Sequence, residues 1–144
     1  MEQAVIRTIR EDDAQEIARI NGLITKSNEE ARFRRMIEEL TRRPGNMSYV
    51  AVYQGKVVGY MITYLLFGGF GIGKSAWIAN LGVEPKFMGQ GIGKALAKKI
   101  FEVYSEKGIK DIYTSVRWDS TDLLSFFKTL GFDRSNFINL RKKI

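Results

Sequence analysis

The segment from Leu81 to Leu96 constrains the fold of this chain more than any other stretch. It reads as a buried strand that ends at Val83, a turn marked by Pro85, and a helix entry with glycines at positions 89, 91 and 93. Apolar residues then recur at helical spacing: Ile92, Leu96, Ile100 and Val103. The segment predicts a strand–turn–helix unit, and the unpaired backbone N–H groups at the start of that helix favour a phosphate.

Two motifs resemble those of a known family. The pattern Val83-x-Pro85-x-x-x-Gly89-x-Gly91-Ile92-Gly93-x-x-Leu96 resembles the acetyl-CoA loop of the GNAT superfamily of N-acetyltransferases. The segment from Ser120 to Phe132 is similar to the family's Asn-x-x-Ala-x-x-Phe-Tyr-x-x-x-Gly-Phe helix. The two motifs occur in the expected order, so the resemblance covers nearly the whole chain.

The resemblance implies a fold, a co-substrate and a binding site. The expected fold is α/β (α+β), a mixed central sheet flanked by helices, in which the fourth and fifth strands splay apart to admit acetyl-CoA. The backbone of Leu81 and Val83 would pair with the pantetheine arm as an added strand would, and the N–H groups of residues 88–93 would hold the pyrophosphate. The cofactor-binding residues implied in this way are Leu81, Gly82, Val83, Met88, Gly89, Gln90, Gly91, Ile92, Gly93, Lys94, Ser120 and Phe127.

The composition is that of one ordinary soluble domain, which we expect to span residues 1–144. The hydrophobic fraction of 44% and the charged fraction of 27% are typical of globular proteins. The absence of cysteine excludes a disulfide framework, and the first residues do not have the pattern of a signal peptide. No apolar run is long enough to span a bilayer. These features predict a cytoplasmic protein with no membrane partner.

The net charge and the absence of histidine limit the classes of binding partner and of catalytic site. A formal charge of +7 suits an anionic partner, and the phosphates of coenzyme A would be sufficient. Nucleic acid is the alternative, but the basic residues are scattered and no nucleic-acid motif accompanies them, so a solvated basic surface is the better interpretation. The chain has no histidine, which excludes Ser-His-Asp and Cys-His nucleophiles and histidine-ligated zinc, and we predict no metal.

Local patterns predict the remaining elements. Strands are expected over residues 4–9, 48–53, 56–67, 77–83, 111–117 and 137–140, with a Gln54-Gly55 hairpin turn and a bulge at Gly59. One helix would follow capping residues Asp12 and Asp13, and a second would follow a Ser27-x-x-Glu30 capping box and stop at Arg43-Pro44-Gly45. The remaining helices would stop at Gly108 and at Gly131-Phe132.

The segment Gly68–Ser75 matches the nucleotide-binding P-loop pattern Gly-x-x-x-x-Gly-Lys-Ser letter for letter. A P-loop must open a helix, whereas the next residues, 77–83, read as another strand closed by Pro85. We therefore predict a hairpin loop here. The resemblance places such a loop beside the acceptor pocket, where Phe70 could touch the substrate.

The sequence departs from the family at the usual ionisable positions. Trp77 and Ser115 stand where relatives carry a glutamate, and Phe127 replaces the tyrosine that protonates the leaving thiolate in many relatives. The candidates for removing the proton of the amine are therefore a water molecule or one of four side chains: Asp119, Asp122, Tyr60 and Tyr64.

The predicted function is acetyl transfer from acetyl-CoA to a primary amine by direct attack in a ternary complex. The acceptor is left open between a protein N-terminus, a protein lysine and a small-molecule amine, and the resemblance implies a homodimer. The alternative is a catalytically weak or inactive acyl-CoA sensor, because three usual acid–base residues are missing.

Overall fold

The computed structural model describes residues 3–45 and 47–144. The chain divides into two compact units, Met1–Tyr113 and Thr114–Ile144. The first unit begins with β1 (Val5–Thr8), a 3₁₀ turn (Glu11–Asp13), α1 (Ala14–Thr25) and α2 (Glu30–Arg42). It continues with β2 (Tyr49–Tyr53), β3 (Lys56–Gly68), β4 (Gly73–Val83), a second 3₁₀ turn (Pro85–Phe87) and α3 (Ile92–Glu106). β5 (Ile112–Thr114) crosses the boundary, and α4 (Thr121–Thr129) lies in the second unit.

The sheet is open and mixed, as predicted, with its five strands in the order β1-β2-β3-β4-β5. Neighbours from β1 to β4 are antiparallel, whereas α3 makes the crossover to β5 that parallel strands require. The Gln54-Gly55 turn is confirmed, since both residues adopt positive φ (50° and 76°), as a two-residue hairpin turn demands. The bulge falls at Val58, one residue before the predicted position, because Ala51 pairs with Gly59 and Val52 with Val57.

Helices cover both faces of the sheet. Gly59 lies under α3, where an added Cβ would come within 2.9 Å of the Ile92 side chain. The next residue, Tyr60, points to the other face and meets the ring of Phe33 in α2 edge to face at 6.2 Å. The main core on this second face is formed by Ile9, Ala14, Ile17, Ala18, Ile20, Phe33, Ile37, Val50, Val57, Tyr60 and Ile62. No helix in the described ranges is both long and apolar enough to cross a membrane.

The predicted helix starts are only partly right. Asp13 precedes α1, but its carboxylate binds backward, to the Arg10 N–H at 2.7 Å and to the Arg7 guanidinium at 2.8 and 2.9 Å. The capping box at Ser27 is wrong, because the Ser27 hydroxyl contacts Thr25 Oγ1 at 2.8 Å and α2 begins later, at Glu30. Asn28 supplies the local acceptor instead, receiving the Glu30 N–H at 3.3 Å.

All three predicted helix stops are confirmed: α2 ends at Arg42, directly before Arg43-Pro44-Gly45, and the other two stops share one geometry. Gly108 has φ +78°, and the N–H of Ile109 reaches back to the carbonyl of Tyr104 at 3.0 Å. Gly131 has φ +92°, and the N–H of Phe132 reaches the carbonyl of Phe127 at 3.1 Å. These bonds define Schellman motifs, in which glycine takes the left-handed position that other residues avoid.

The P-loop-like segment is a hairpin loop, as predicted. Gly68 closes β3 and pairs with Gly73, the first residue of β4, so no helix follows the loop. Ser75 is buried in β4, where it accepts a hydrogen bond from the Trp77 indole at 2.9 Å. Phe70, at the tip, is fully exposed with φ +56°.

The second unit contains α4 and an irregular tail. β5 ends at Thr114, earlier than predicted, and the strand expected over residues 137–140 is wrong because residues 133–144 form no helix or strand. Ser135 explains part of this difference, since its hydroxyl accepts the Phe137 N–H at 3.1 Å and donates to the Phe137 carbonyl at 3.2 Å. In a β-strand, the N–H and carbonyl of Phe137 would instead be available to hydrogen-bond a neighbouring strand.

A buried polar cluster joins α3 to β3. Thr63 Oγ1 lies 2.6 Å from the Tyr104 hydroxyl and 2.7 Å from the carbonyl of Met47, and both side chains are almost fully buried. We expect Thr63→Val to lower the free energy of unfolding by about 1–3 kcal/mol, because it leaves buried polar groups unpaired.

Urea unfolding of Thr63→Val, Tyr104→Phe and the double variant tests this expectation. The free energy of unfolding should fall less in the double variant than the sum of the two single decreases. The reason is that both single variants remove the same hydrogen bond between Thr63 and Tyr104. Thr63→Ser, which keeps the hydroxyl, is the control, and a loss as large as that of Thr63→Val would contradict the role of the hydrogen bonds.

Candidate active site

The second half of β4 presents backbone groups on the side away from β3. The N–H of Glu84 donates to the carbonyl of Val58 at 2.8 Å, and Gly82 is opposite Tyr60 two residues earlier. Hydrogen-bonded pairs alternate in an antiparallel ladder, so Gly82 and Glu84 bond to β3. The N–H and carbonyl groups of Leu81 and Val83 therefore point to the opposite side.

A bulge at Ala79 reverses this alternation in the first half of β4. Ile62 pairs with Asn80, but the next residue of β3, Thr63, pairs with Ile78, so Ala79 has no partner on β3. Before the bulge it is Ala76 that points away from β3, and its N–H donates to the carbonyl of Asp111 at 3.2 Å. Because the outward-pointing residues change at the bulge, a regular ladder on that edge cannot continue from Ala76 to Val83.

The glycine turn leaves a run of N–H groups open at the start of α3. The first helical bond runs from the Ala95 N–H to the Gly91 carbonyl at 2.9 Å, and no side chain caps the helix. In the described part of the chain, the N–H groups of residues 89–94 have no acceptor outside the helix. Met88 differs from the prediction, because its N–H donates to the Pro85 carbonyl at 3.2 Å.

The turn is held in place by the packing around it. Gly89 and Gly91 adopt φ of +79° and +83°, the left-handed conformation that glycine takes without strain. Ile92, the first residue of α3, is buried against Gly59 of β3. The helix start is thus fixed on the sheet, while Gln90 and Lys94 remain exposed.

A buried carboxylate follows β4 directly. Glu84 is 5% exposed, and its two oxygens accept from the Arg19 guanidinium at 3.2 and 3.4 Å, while Lys56 Nζ lies 3.8 Å away. Burial alone raises the pKa of Glu84, but the hydrogen bond and charge of Arg19, with the charges of Lys56 and Lys86, outweigh it and lower the pKa. Arg19 also bonds Glu16 within α1 at 2.9 Å, and its pair with Glu84 ties α1 to the end of β4.

Tyr60 of β3 pairs with Gly82 of β4, and its ring lies over this glycine. A Cβ on Gly82 would come within 2.7–2.9 Å of the phenol ring and hydroxyl, so only glycine fits there. The Tyr60 hydroxyl donates to Asn80 Oδ1 at 3.4 Å, a long hydrogen bond. Burial, followed by the charge of Glu29, raises the pKa of Tyr60 well above its usual value, which keeps the phenol neutral.

The other residues of β3 and β4 that the sequence singled out lie further toward the hairpin. Tyr64 is exposed and pairs with Trp77 across the ladder. The Trp77 indole stacks on Tyr113 with ring centres 4.9 Å apart. Trp77, one of the positions that the sequence analysis singled out, thus packs against an aromatic ring.

In the second unit, both candidate carboxylates are exposed. Asp119 forms a two-pronged ion pair with Arg117 at 3.0 Å, and this hydrogen bond lowers the pKa of Asp119. Asp122 lies in the first turn of α4, where a negative charge is favourable. Ser120 occupies the cap position without a side-chain bond, although its carbonyl accepts the Leu124 N–H at 3.0 Å.

Phe127 has a structural role within its own unit. It is buried, and its ring meets those of Phe126 and Phe132 edge to face at 5.3 and 5.1 Å. The contact with Phe132 is the apolar contact that accompanies a Schellman motif. Ser115, the other position that lacks an ionisable group, hydrogen-bonds Asn139 at 3.3 Å.

Two open cavities of about 510 and 320 Å³ flank the connection between α1 and α2. The larger is lined by Asn28, Glu29 and residues of α2 that include Arg32 and Arg35. The smaller is lined by residues that include Glu16 and Arg19. Neither is lined by residues of β4 or of the glycine turn. The case for the site therefore rests on the backbone groups of β4 and α3.

Comparison with known proteins identifies the family of the chain. A family model described as the acetyltransferase (GNAT) family matches residues 9–132. The chain belongs to this family. It is 29% identical over 100 residues to the thialysine N-epsilon-acetyltransferase of Sus scrofa, a match that covers 69% of this chain and 55% of that protein. The chain thus spans about half the length of that curated relative.

Solved structures of the GNAT fold superpose over nearly the whole chain. A transcriptional regulator from Bacillus halodurans C-125 matches with a TM-score of 0.83 at 23% identity, covering 98% of this chain and 99% of that one. The AAC(6')-Iy structure in complex with the bisubstrate analogue CoA-S-monomethyl-acetylneamine matches with a TM-score of 0.83 at 16% identity, covering 99% of this chain and 100% of that one. At these identities the likeness shows the fold alone.

Three structural features of this GNAT chain were not predicted from its sequence. Glu84 is a variable position of the Val-x-Pro motif, and its partner Arg19 lies 65 residues away. Asn80 gave no motif signal, although alternation along β4 places it on the face of Gly82. The bulge at Ala79 has no marker residue such as glycine.

The Arg19–Glu84 pair should make stability depend on pH. We expect Glu84→Gln to lower the free energy of unfolding at pH 7 by roughly 1–3 kcal/mol, since a charged hydrogen bond to a buried group is lost. The pKa of Glu84 is lower in the folded state than in the unfolded state. The contribution of its carboxylate to the free energy of unfolding is therefore complete above the unfolded-state pKa. That contribution is lost as the pH falls through the folded-state pKa.

Urea unfolding of both proteins between pH 7 and pH 3 measures this difference. The difference in free energy of unfolding between wild type and Glu84→Gln should shrink toward zero near pH 3. Lys56→Met is the control, expected to have little effect because this ammonium is half exposed and more distant. A difference between wild type and Glu84→Gln that does not change with pH would contradict the account.

Proposed function

We propose that this protein is an acetyl-CoA-dependent N-acetyltransferase that moves an acetyl group to a primary amine by direct attack. The observation that carries the proposal is the run of open backbone N–H groups at the glycine turn, next to a strand whose last residues point their own backbone groups outward. Family membership supports the same reaction class.

The residues present fit the two ends of acetyl-CoA. The N–H groups of Gly89, Gly91, Ile92, Gly93 and Lys94 would bind the pyrophosphate, because an uncapped helix N-terminus favours negative charge. The outward backbone groups of Leu81 and Val83 would hydrogen-bond the amides of the pantetheine arm as a neighbouring strand would. A bisubstrate analogue that contains CoA was bound by a protein of the same fold, AAC(6')-Iy.

The acyl group would then lie along the outward edge of β4. An N–H of Leu81 or Val83 would donate to the thioester carbonyl and stabilise the negative charge that develops as the amine adds. This donor is a main-chain group fixed by the ladder with β3, so it needs no rearrangement during the reaction. Holding amine and thioester side by side supplies a further large part of the rate.

The amine must lose a proton before it attacks, because an unperturbed amine with a pKa near 10 is mostly protonated at neutral pH. The raised pKa of Tyr60 and the lowered pKa of Asp119 make both poor bases near neutral pH. Tyr64 and Asp122, which are exposed, stay as side-chain candidates, and a water molecule is the proton acceptor that we propose. The leaving thiolate takes its proton from solvent as well, since the phenyl ring of Phe127 has none to give.

Asn80 would help to position the amine. It lies one residue before Leu81, on the face that also carries Tyr60, and it is partly exposed. Its two amide N–H donors have no partner within residues 3–45 and 47–144, and its oxygen holds only the long bond from Tyr60. A neutral carboxamide at this point can orient an amine without stabilising its charged form.

The acceptor class is a primary amine. The pig relative acts, by its name, on thialysine, and solved structures of the same fold include aminoglycoside acetyltransferases and a ribosomal-protein-alanine N-acetyltransferase from Brucella melitensis. A panel of thialysine, neamine, spermidine and a short peptide with a free N-terminus covers these chemistries. Tight CoA binding with no turnover of any amine would favour the alternative of an acyl-CoA sensor.

The glycine turn can be tested with a matched pair of variants. Gly91 and Gly108 flank α3 at its two ends, with φ of +83° and +78° and no atom within 4 Å of an added Cβ. Alanine at either site imposes a similar backbone strain of roughly 1–2 kcal/mol. Only Gly91→Ala should weaken acetyl-CoA binding, and we expect its Kd to rise at least about tenfold, equivalent to 1.4 kcal/mol.

Isothermal titration of acetyl-CoA into wild type, Gly91→Ala and Gly108→Ala measures these constants. Similar losses in the two variants would indicate a general effect of strain and contradict the assigned role. The absence of any binding to the wild type would overturn the proposed function itself.

Asn80→Ala tests the acceptor side. We expect kcat/KM for the best amine of the panel to fall by about tenfold or more, because the variant loses one hydrogen bond to the reacting amine. The Kd of acetyl-CoA should stay unchanged. Steady-state kinetics with both substrates varied gives both results, and a fall confined to acetyl-CoA binding would contradict the proposed position of the amine.

A further inference from the structure

The connection between β4 and the glycine turn carries one buried side chain. Within the described segment 84–91, which joins Val83 to α3, only Glu84 is buried, while Phe87 is half-buried and the other residues are exposed. The two parts of the site proposed for acetyl-CoA lie at the two ends of this segment. Whatever holds Glu84 therefore fixes the direction in which the chain leaves the strand and enters the turn.

The backbone of Glu84 ends the strand and begins the connection. Its N–H donates to the carbonyl of Val58 at 2.8 Å, which closes the ladder with β3. Its carbonyl accepts the N–H of Phe87 at 2.8 Å, which starts the 3₁₀ turn over Pro85–Phe87. A shift of this residue would therefore move the strand end and the turn together.

The side chain of Glu84 is held by an arginine on a fixed helix. The guanidinium nitrogens Nη1 and Nη2 of Arg19 lie 3.2 and 3.4 Å from the carboxylate oxygens, one nitrogen to each oxygen. Two residues close to Arg19 in α1, Ile17 and Ile20, are fully buried in the core. Arg19 also donates to Glu16 at 2.9 Å, so its guanidinium has little freedom to turn. The carboxylate therefore meets a planar group whose orientation the helix sets.

A buried ion pair adds little stability, but it fixes a direction. Removing two charges from water costs about as much as their attraction returns, and apolar side chains of similar size often stabilise as well. A fork-shaped contact constrains orientation, which apolar packing does only weakly. By charge alone, a carboxylate five residues before Gly89 disfavours the binding of a diphosphate at the turn. A fixed orientation is the gain that offsets this repulsion.

We propose that Glu84 and Arg19 are positioning residues for acetyl-CoA, an inference that rests on the proposed function. The ion pair holds the outward edge of β4 and the glycine turn in the relative orientation that lets one molecule bind both. A ligand that engages both parts gains affinity from their fixed geometry, and it loses that gain when it can no longer engage both at once. A ligand that reaches only the glycine turn gains nothing from the pair.

Acetyl-CoA and adenosine diphosphate separate these two cases. Adenosine diphosphate carries the diphosphate but has no pantetheine arm, so it can occupy the glycine turn without contacting Leu81 or Val83. In Glu84→Gln we expect the Kd of acetyl-CoA to rise about tenfold or more, and that of adenosine diphosphate to stay within about twofold. Charge alone predicts the opposite sign, because removing a carboxylate should tighten the binding of both anions.

Asp13 offers a matched control. It is 5% exposed, like Glu84, and its two oxygens accept from the guanidinium of Arg7 at 2.8 and 2.9 Å. Arg7 belongs to β1, which two strands separate from β4 in the sheet. Asp13→Asn should therefore lose comparable stability and leave both dissociation constants unchanged. A similar rise in the Kd of acetyl-CoA in Asp13→Asn would indicate a general effect of a broken buried pair and overturn the proposal.

Arg19→Lys gives a second, milder variant. Lysine keeps the positive charge, but a single ammonium cannot hold both oxygens of Glu84 in one plane. We expect the Kd of acetyl-CoA to rise at least about threefold in this variant, and the wild-type value would contradict the positioning role.

Isothermal titration gives the constants for acetyl-CoA, and amide spectra of the ¹⁵N-labelled protein give those for the weaker diphosphate, with urea curves to verify that each variant is folded. A wild type that binds no acetyl-CoA would overturn the proposed function, and this inference with it. If wild type binds acetyl-CoA, and Glu84→Gln changes neither constant or both in the same proportion, only the positioning role is overturned. A wild type that binds acetyl-CoA but not adenosine diphosphate also contradicts it, because the turn would then not bind a diphosphate by itself.

Discussion

The antiparallel ladder between β3 and β4 is the constraint on which the candidate site depends. It dictates, residue by residue, which backbone groups are used inside the sheet and which are offered to something else. It directs the backbone groups of Leu81 and Val83 away from β3. The bulge at Ala79 changes the alternation within β4. It therefore separates the part that bonds to Asp111 from the part that we propose for acetyl-CoA.

Features that depend on a few neighbouring residues could be predicted from the sequence. The glycine turn, the Gln54-Gly55 hairpin and the stop at Gly108 follow from backbone conformations that few other residues adopt. The Ser27 capping box was wrong because Asn28 competes for the same N–H group. Contacts between distant segments could not be predicted, and the Arg19–Glu84 pair, 65 residues apart, is the clearest case.

The missing acid–base residues are consistent with how the fold uses those positions. The ring of Phe127 completes the Schellman motif of α4 by contacting Phe132, a role that needs an aromatic ring and no hydroxyl. Trp77 stacks on Tyr113. Binding and carbonyl polarisation by main-chain groups remain available, because they do not depend on these side chains. Chemistry built on backbone amides tolerates such replacements, provided that solvent exchanges the protons.

The most direct test of the central claim is a titration of the ¹⁵N-labelled protein with acetyl-CoA, followed by two-dimensional amide spectra. The account predicts that the largest shifts fall on Leu81 and Val83 and on the turn residues Gly89, Gly91 and Gly93. Residues of α1 and β1 should change little. Shifts that leave the glycine turn unchanged, or that cluster on a distant surface, would contradict the assignment of main-chain amides as the ligand-binding groups.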